Sequence, residues 1–189
     1  MRALILVDIQ KGFDDPKWGA RNNPSAEAIA ARMLAHWRRH KWPVIHVRHD
    51  STEIDSPLRP GQGGNEFKEI TQPMAGERII PKRVNSAFIG TTLHEELQHA
   101  GVDEVVFVGL TTPHCISTSA RMAGNLDYRT FVLSDATAAF EWRAHDGTVI
   151  SAEDMHFHAL AALHGEFATV ISSEELLKSI DTPDLRTRT

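Results

Sequence analysis

The stretch EVVFVGLTTPHCISTSA, residues 104–120, contains an apolar run, a turn and the start of a helix. Residues 104–109 are mostly apolar and β-branched, which is typical of a strand buried on both faces. After the turn, residues 115–126 have the spacing of a helix. Similar apolar runs occur at residues 3–7, 43–48, 130–133 and 168–171. Five buried strands are therefore predicted.

Helical patterns separate these strands. They cover residues 25–40, 92–101, 115–126 and 152–164, and a short last helix opens at Ser172. Thr92-x-x-Glu95 is typical of a capping box, and Gly101 marks the end of that helix. This alternation predicts an α/β fold, a three-layer α/β/α sandwich around a mostly parallel, doubly wound sheet.

The chain has 189 residues, which suits one domain better than two. We expect a single domain over residues 1–180 and a short polar C-terminal tail at residues 181–189. Residues 50–76 interrupt the strand–helix rhythm with several prolines and glycines. Such a long connection predicts an ordered functional loop or a lid.

Composition narrows the class of protein. The formal net charge is −5 and the Lys and Arg residues are scattered, so a dedicated nucleic-acid binder is not expected. The apolar run at residues 3–7 is too short for a signal peptide or a membrane span. The single cysteine, Cys115, excludes an intramolecular disulfide and a cysteine-rich zinc site. We therefore expect a cytoplasmic protein without a membrane or nucleic-acid partner.

Three side chains lie where strands end, the edge at which open α/β sheets bind ligands. Asp8 ends the first strand, Lys82 follows an Ile-Ile-Pro run, and Cys115 opens a helix. A helix N-terminus favours a thiolate, and its amides can stabilise an oxyanion. A carboxylate can accept the thiol proton while an ammonium holds that carboxylate. Each residue also has an ordinary alternative, as a buried small side chain, a cap or a solvated lysine.

Several motifs occur together in one order and at fixed separations. They are LVDIQKGF (6–13), KRVNSAFIGT (82–91), VGLTTPHC (108–115), TSARMA (118–123) and VLSDA (132–136). In this combination the chain resembles the isochorismatase-like cysteine hydrolases. That family includes nicotinamidases, carbamoylsarcosine-type amidases, ureidoacrylate amidases and streptothricin hydrolase, and the resemblance covers nearly the whole chain.

The resemblance implies a catalytic triad of Asp8, Lys82 and Cys115. It also implies an oxyanion hole formed by the backbone N–H groups of Thr111 and Cys115, with a cis peptide bond between Leu110 and Thr111. The implied activity is hydrolysis of a C–N bond in a small amide, ureide or lactam, through a thioester and without a cofactor. Members of the family commonly form dimers or tetramers, so a homo-oligomer is expected.

The sequence departs from the motifs of two subfamilies, and these departures narrow the expected reaction and metal requirement. Nicotinamidases carry a metal-binding Asp-x-His…His pattern after the second strand, whereas residues 46–52 read HVRHDST. No metal is therefore expected. True isochorismatases cleave a vinyl ether and lack the cysteine, so Cys115 favours an amidase-type member.

Six residues are candidate substrate contacts, since small-ligand pockets combine apolar walls with a few polar groups. They are Gln10, Phe13, Trp18, Asn85, Phe88 and Phe140. For His114 three alternatives stay open: it tunes the nucleophile, lines the pocket or is a turn residue with no role. For the pairs His36/His40 and His156/His158 we expect structural roles rather than metal binding.

Two alternatives to this enzyme stay open. A nitrilase-type hydrolase also uses a carboxylate, a lysine and a cysteine, but its architecture is longer, its carboxylate is a glutamate, and the strand order here fits it poorly. A catalytically silent small-molecule-binding or scaffold protein of the same fold would keep the motifs without the reaction.

Overall fold

The structure is a computed structural model, and it describes residues 1–181. The strands are β1 Arg2–Val7, β2 Val44–His49, β3 Arg78–Lys82, β4 Glu104–Leu110, β5 Arg129–Ala138, β6 Trp142–Arg143, β7 Val149–Ile150 and β8 Thr169–Ile171. The helices are α1 Ala26–His40, α2 Leu93–His99, α3 Ser117–Asn125, α4 Ala152–Ala161 and α5 Ser173–Asp181. Of the predicted tail, Asp181 ends α5, and residues 182–189 lie outside the described residues.

Six strands form one sheet in the order β3-β2-β1-β4-β5-β8. All of its neighbouring strands are parallel. The strand order reverses between β1 and β4, because the chain builds outward from β1 first on one side and then on the other. Such a reversal opens a crevice beyond the carboxyl ends of the two strands, where ligands bind in sheets of this kind.

Helices cover both faces of the sheet, because side chains alternate along each strand. Ile5 and Val7 pack with α2, α3 and α4 on one face. Leu4 and Leu6 pack with α1 and α5 on the other. The predicted three-layer, doubly wound α/β architecture is confirmed, and β1 and β4 are buried along almost their whole length, as their apolar runs indicate.

The structure differs from the sequence prediction in three places. A two-stranded hairpin, β6–β7, spans residues 142–150 and was not predicted, because its short and largely exposed strands lack an apolar run. Residues 112–116 form a single π-helical turn, so α3 begins at Ser117 rather than at Cys115. β3 was not among the five predicted strands. It contains Pro81 and lies at the edge of the sheet, where proline is tolerated.

The long connection between β2 and β3 is held against the strand ends by backbone hydrogen bonds. Lys68 N–H donates to the Ile9 carbonyl, and Lys11 N–H donates to the Glu66 carbonyl. Within residues 1–181, no helix has the length and apolar character needed to cross a membrane.

Candidate active site

Four adjacent strands each present one chemically active side chain at their carboxyl ends. Asp8 directly follows β1, His49 ends β2, Lys82 ends β3, and Cys115 lies in the turn after β4. Asp8 and Lys82 are fully buried, Cys115 is nearly so, and His49 is partly exposed. Parallel strands bring their carboxyl ends to one edge, and this is why residues distant in sequence meet here.

The ammonium of Lys82 lies at the centre of this group. Its Nζ is 2.7 Å from Oδ2 of Asp8, 2.9 Å from Nδ1 of His49 and 3.2 Å from Sγ of Cys115. The contact with Asp8 is a buried ion pair, and the contacts with His49 and Cys115 are hydrogen bonds. The geometry therefore brings together the three residues expected as a triad, with His49 as a fourth contact.

Burial and charge act differently on the lysine and on the cysteine. Burial disfavours the ammonium, but the Asp8 carboxylate and the Cys115 sulfur more than offset it and raise the pKa of Lys82. Burial, followed by the Asp8 charge, raises the pKa of the Cys115 thiol, and Lys82 opposes this only in part. Together these effects favour the protonated thiol. The tendency of a helix N-terminus to favour a thiolate is therefore opposed here by burial and by the neighbouring carboxylate.

The backbone around the nucleophile is held tightly. Gly109 has a φ of 121°, and a Cβ there would lie 2.0 Å from the carbonyl oxygen of Val7. Asp8, the residue after Val7, has a φ of 52°, in the left-handed region that non-glycine residues seldom adopt. The Leu110–Thr111 peptide bond is cis. The Thr111 carbonyl accepts hydrogen bonds from the N–H groups of His114 and Ile116, which shapes the π-helical turn.

His156 supports this turn from behind. It is buried, and its Nδ1 lies 2.8 Å from Oγ1 of Thr112 while its Nε2 lies 3.0 Å from the Ser134 carbonyl. A carbonyl only accepts, so Nε2 carries the proton and Nδ1 accepts from the Thr112 hydroxyl. His156 therefore joins α4 and β5 to the nucleophile turn.

A cavity of about 640 Å³ opens beside the sulfur. One wall is aromatic, with ring centroids 5.2 Å apart for Phe13 and Trp18, and 6.1 Å apart for Phe13 and Phe140. Asn85 lines the cavity beside the nucleophile, with its Oδ1 3.8 Å from Sγ of Cys115. The structure thus places four of the six candidate contacts, Phe13, Trp18, Asn85 and Phe140, on the cavity.

The other two candidates do not line the cavity. The Gln10 side chain is fully buried and hydrogen bonds to the backbone of His49 and Asn65. Phe88 packs in the core, with its ring 6.2 Å from that of Tyr128. Both were chosen as residue types that suit a small-ligand pocket, but their side chains turn into the interior.

Sequence reasoning missed two contributors to the site. His49 is polar and ends a strand, as Asp8 does, and this position could have identified it. The hairpin contributes Trp142, whose ring centroid is 4.9 Å from that of His114. Both residues line the cavity, so His114 belongs to its wall. The connection between β2 and β3 adds Ser51, Glu53, Ser56 and Leu58.

Among residues 1–181, Asp8, His49 and Cys115 are the one group whose ligand atoms are close enough to hold a metal ion, within 4.8 Å of one another. The Lys82 ammonium contacts an atom of each and supplies the positive charge among them. The ring centroids of His36 and His40 lie 4.3 Å apart, and neither residue belongs to such a group among the described residues.

Comparison with known proteins gives consistent matches. The sequence profile of the isochorismatase domain matches residues 2–175. An uncharacterised isochorismatase family protein, YrdC of Bacillus subtilis, is 48% identical, over 93% of this chain and 94% of its own. A crystal structure described as a hydrolase of the isochorismatase family from Chromobacterium violaceum has a TM-score of 0.92 and 40% identity, covering 95% of this chain and 93% of the other. The ureidoacrylate amidohydrolase of Variovorax paradoxus is 33% identical, over 71% of this chain and 68% of its own.

Proposed function

The chain belongs to the isochorismatase family, and from this premise we propose that it is a cysteine-dependent amidohydrolase that cleaves a C–N bond in a small amide, ureide or lactam. The observation that carries this proposal is the single ammonium of Lys82 bonded at once to Asp8 and Cys115. This arrangement provides a nucleophile, a base beside it and a cation that holds both in place. The amidohydrolase among its relatives supports the reaction class.

The first half of the proposed reaction forms a thioester. The Cys115 thiol gives its proton to Asp8 as Sγ bonds to the substrate carbonyl carbon. The carbonyl oxygen becomes an oxyanion, which accepts hydrogen bonds from the backbone N–H groups of Thr111 and Cys115. When the intermediate collapses, the C–N bond breaks and the leaving nitrogen takes the proton from Asp8.

The second half releases the acid. Water attacks the thioester carbon while Asp8 accepts one of its protons, the C–S bond breaks, and Sγ regains that proton. Lys82 stays protonated throughout, because its raised pKa lies far above neutral pH. Its role is to orient Asp8 and to stabilise negative charge on sulfur during attack. No step requires a metal or a cofactor.

The cavity supports a small substrate. Its volume of about 640 Å³ is within the range of sites for drug-sized molecules. The apolar wall formed by Phe13, Trp18, Leu58 and Phe140 suits an apolar or planar group. Charged side chains of both signs, Lys17, Glu53, Glu141 and Arg143, lie on other parts of the cavity lining.

The test is a screen of small amides, ureas and lactams with the wild-type protein and with Cys115→Ala as the blank. We expect at least one compound to be hydrolysed, with Cys115→Ala and Cys115→Ser each slower by about 10³-fold or more. Both substitutions are small, so thermal unfolding should show an intact fold. Full activity in Cys115→Ala would overturn the mechanism. Binding without turnover across the screen would favour the silent binding protein instead.

A further inference from the structure

The two ring nitrogens of His49 have different surroundings. Nδ1 is 2.9 Å from Nζ of Lys82. Nε2 has no hydrogen-bond partner within residues 1–181, yet it is not one of the polar atoms sealed in the interior, and the ring lines the cavity. One edge of the ring therefore faces the ammonium while the other has access to solvent.

The ammonium determines the protonation of this ring. Lysine donates hydrogen bonds and cannot accept them, so Nδ1 must present its lone pair to Nζ. The ring is then neutral, with its proton on Nε2. Burial and then the positive charge of Lys82 lower the pKa of His49, which keeps the ring neutral at and above neutral pH.

The backbone of His49 is fixed by two buried amide side chains. Gln10 accepts from the His49 N–H at 2.8 Å and donates to its carbonyl at 3.1 Å. Asn65 donates to the same carbonyl at 3.0 Å. These contacts fix the backbone from which the ring projects toward Lys82. A partly exposed surface histidine would not need such support.

We propose that His49 is a positioning residue of the site, whose Nδ1 accepts an N–H of Lys82 as its third partner and so holds the ammonium in its ion pair with Asp8 and its hydrogen bond to Cys115. This inference rests on the proposed function, because it assigns His49 a role in that same chemistry. Without the third acceptor, the ammonium can rotate and its bonds to Asp8 and Cys115 weaken. The positioning role predicts a dependence on the acceptor atom itself, rather than on the bulk of the ring.

The role also predicts an acid limit for activity. When His49 is protonated, Nδ1 becomes a donor and a second cation faces Lys82, so the hydrogen bond is lost. The charged or titratable groups near the ring are Lys82 at the end of β3, Asp8 after β1, Cys115 in the nucleophile turn, and Asp50 and Glu53 in the loop after β2, and His114 lines the same cavity. We expect activity to fall as pH drops below neutral, through the lowered pKa of His49.

Two substitutions separate the acceptor from the bulk. In His49→Asn, Oδ1 is as many bonds from Cβ as Nδ1 is in histidine, so an acceptor remains without a titrating ring. His49→Leu has the same branched shape as asparagine and no acceptor. We expect His49→Leu to lower kcat by about tenfold or more with KM little changed, and His49→Asn to restore most of that loss and to move the acid limit to lower pH. Equal activity in the two variants, or a wild-type acid limit in His49→Asn, would overturn the proposal.

A second measurement needs no substrate. In full-length protein with ¹⁵N-labelled histidine, the His49 signals are assigned by their loss in His49→Asn, and exposed His145 is the internal reference. We expect a single Nε2–H tautomer and a titration midpoint below 6.5. A mixture of tautomers, an Nδ1–H ring or a higher midpoint would reject the placement. If the wild type hydrolyses nothing, the proposed function fails, and this measurement still decides the state of His49.

Discussion

Cys115 lies between two opposite charges. Burial and then the Asp8 carboxylate raise the pKa of its thiol, and the Lys82 ammonium lowers it. The thiol therefore rests in its protonated form and becomes nucleophilic only when Asp8 takes its proton. A buried, protonated thiol of this kind reacts slowly with oxidants in solution, because the thiolate is the reactive form.

This balance predicts that Asp8→Asn changes two rates in opposite directions. Hydrolysis should fall by about 10²- to 10⁴-fold, because the base is gone. Alkylation of the sole cysteine by iodoacetamide at pH 7 should rise, on the order of tenfold, since Lys82 then stabilises the thiolate unopposed. Mass spectrometry of the labelled protein gives the alkylation rate.

Asp14→Asn is the matched control, because Asp14 is an exposed aspartate whose carboxylate bonds to Lys68. It should change neither rate. If alkylation slows in Asp8→Asn together with hydrolysis, the carboxylate does not hold the thiol in its protonated form, and the assignment of Asp8 as the base fails.

At this scale the sequence allowed part of the site to be predicted. Asp8, Lys82 and Cys115 could be identified because polar residues at the ends of apolar strands converge on one edge of a parallel sheet. The state of the thiol could not be predicted, since burial depends on the packed structure. Gln10 shows the same limit, because the direction of its side chain is set by the connection that packs over it.

At the scale of elements, the nucleophile depends on the close approach of β4 to β1. Gly109 pairs with Val7 in the parallel register of these strands, and the register between β4 and β5 shifts between Phe107 and Gly109. The absence of a side chain at Gly109 lets the chain turn out of the sheet toward Thr111. The site is thus positioned by a contact between two backbones.

Gly109→Ala should therefore be poorly tolerated. A Cβ would lie 2.0 Å from the Val7 carbonyl oxygen, and the φ of 121° is one that alanine rarely adopts. We expect the free energy of unfolding to fall by about 3–4 kcal/mol, or the protein not to fold. Urea denaturation followed by circular dichroism measures the change.

Gly63→Ala provides the comparison, because a Cβ at Gly63 meets nothing within 4 Å and its φ is not in the left-handed range. It should alter stability by less than about 0.5 kcal/mol. Similar losses in the two variants would show that the approach of β4 to β1 is not the constraint.

The success of sequence reasoning also varied among the elements. Apolar runs in the sequence are long enough to predict five of the strands, which are β1, β2, β4, β5 and β8. The β6–β7 hairpin was missed because each strand is two residues long and its side chains are largely exposed, so no periodic pattern forms. A contribution of the connection at 50–76 to function could be predicted from its length and composition, but not which of its residues reach the cavity.

At the scale of the whole molecule, a partly buried ionic cluster attaches that connection to α1. Glu27 of α1 accepts hydrogen bonds from Arg21 at 2.8 Å and from Lys68 at 2.7 Å. Burial disfavours the charged carboxylate, but these hydrogen bonds outweigh it and lower the pKa of Glu27 to about 2.

The homo-oligomer expected from the sequence stays a prediction.

Glu27→Gln should lower the free energy of unfolding at pH 7 by about 2–3 kcal/mol. The pKa of Glu27 is lower in the folded state than in the unfolded state. Its contribution is therefore fully present above about pH 4.5 and is lost as pH falls toward 2. Urea titrations of the wild type and the variant between pH 7 and pH 2.5 should show the two stabilities converging.

Glu174→Gln serves as the reference, because Glu174 pairs with Lys178 on the exposed surface of α5. It should have no measurable effect at either pH. A difference between wild type and Glu27→Gln that stays constant over the pH range would mean that the charge of Glu27 is not what holds the connection.

The reacting groups all come from the ends of β1 to β4, whereas much of the cavity wall comes from the connection after β2 and from the hairpin. This division separates what must stay fixed from what is free to vary during evolution. Insertions, deletions and substitutions in the two peripheral segments can change the shape of the cavity and therefore its substrate specificity. They leave the reacting side chains in place. One scaffold can in this way carry enzymes that act on many different substrates.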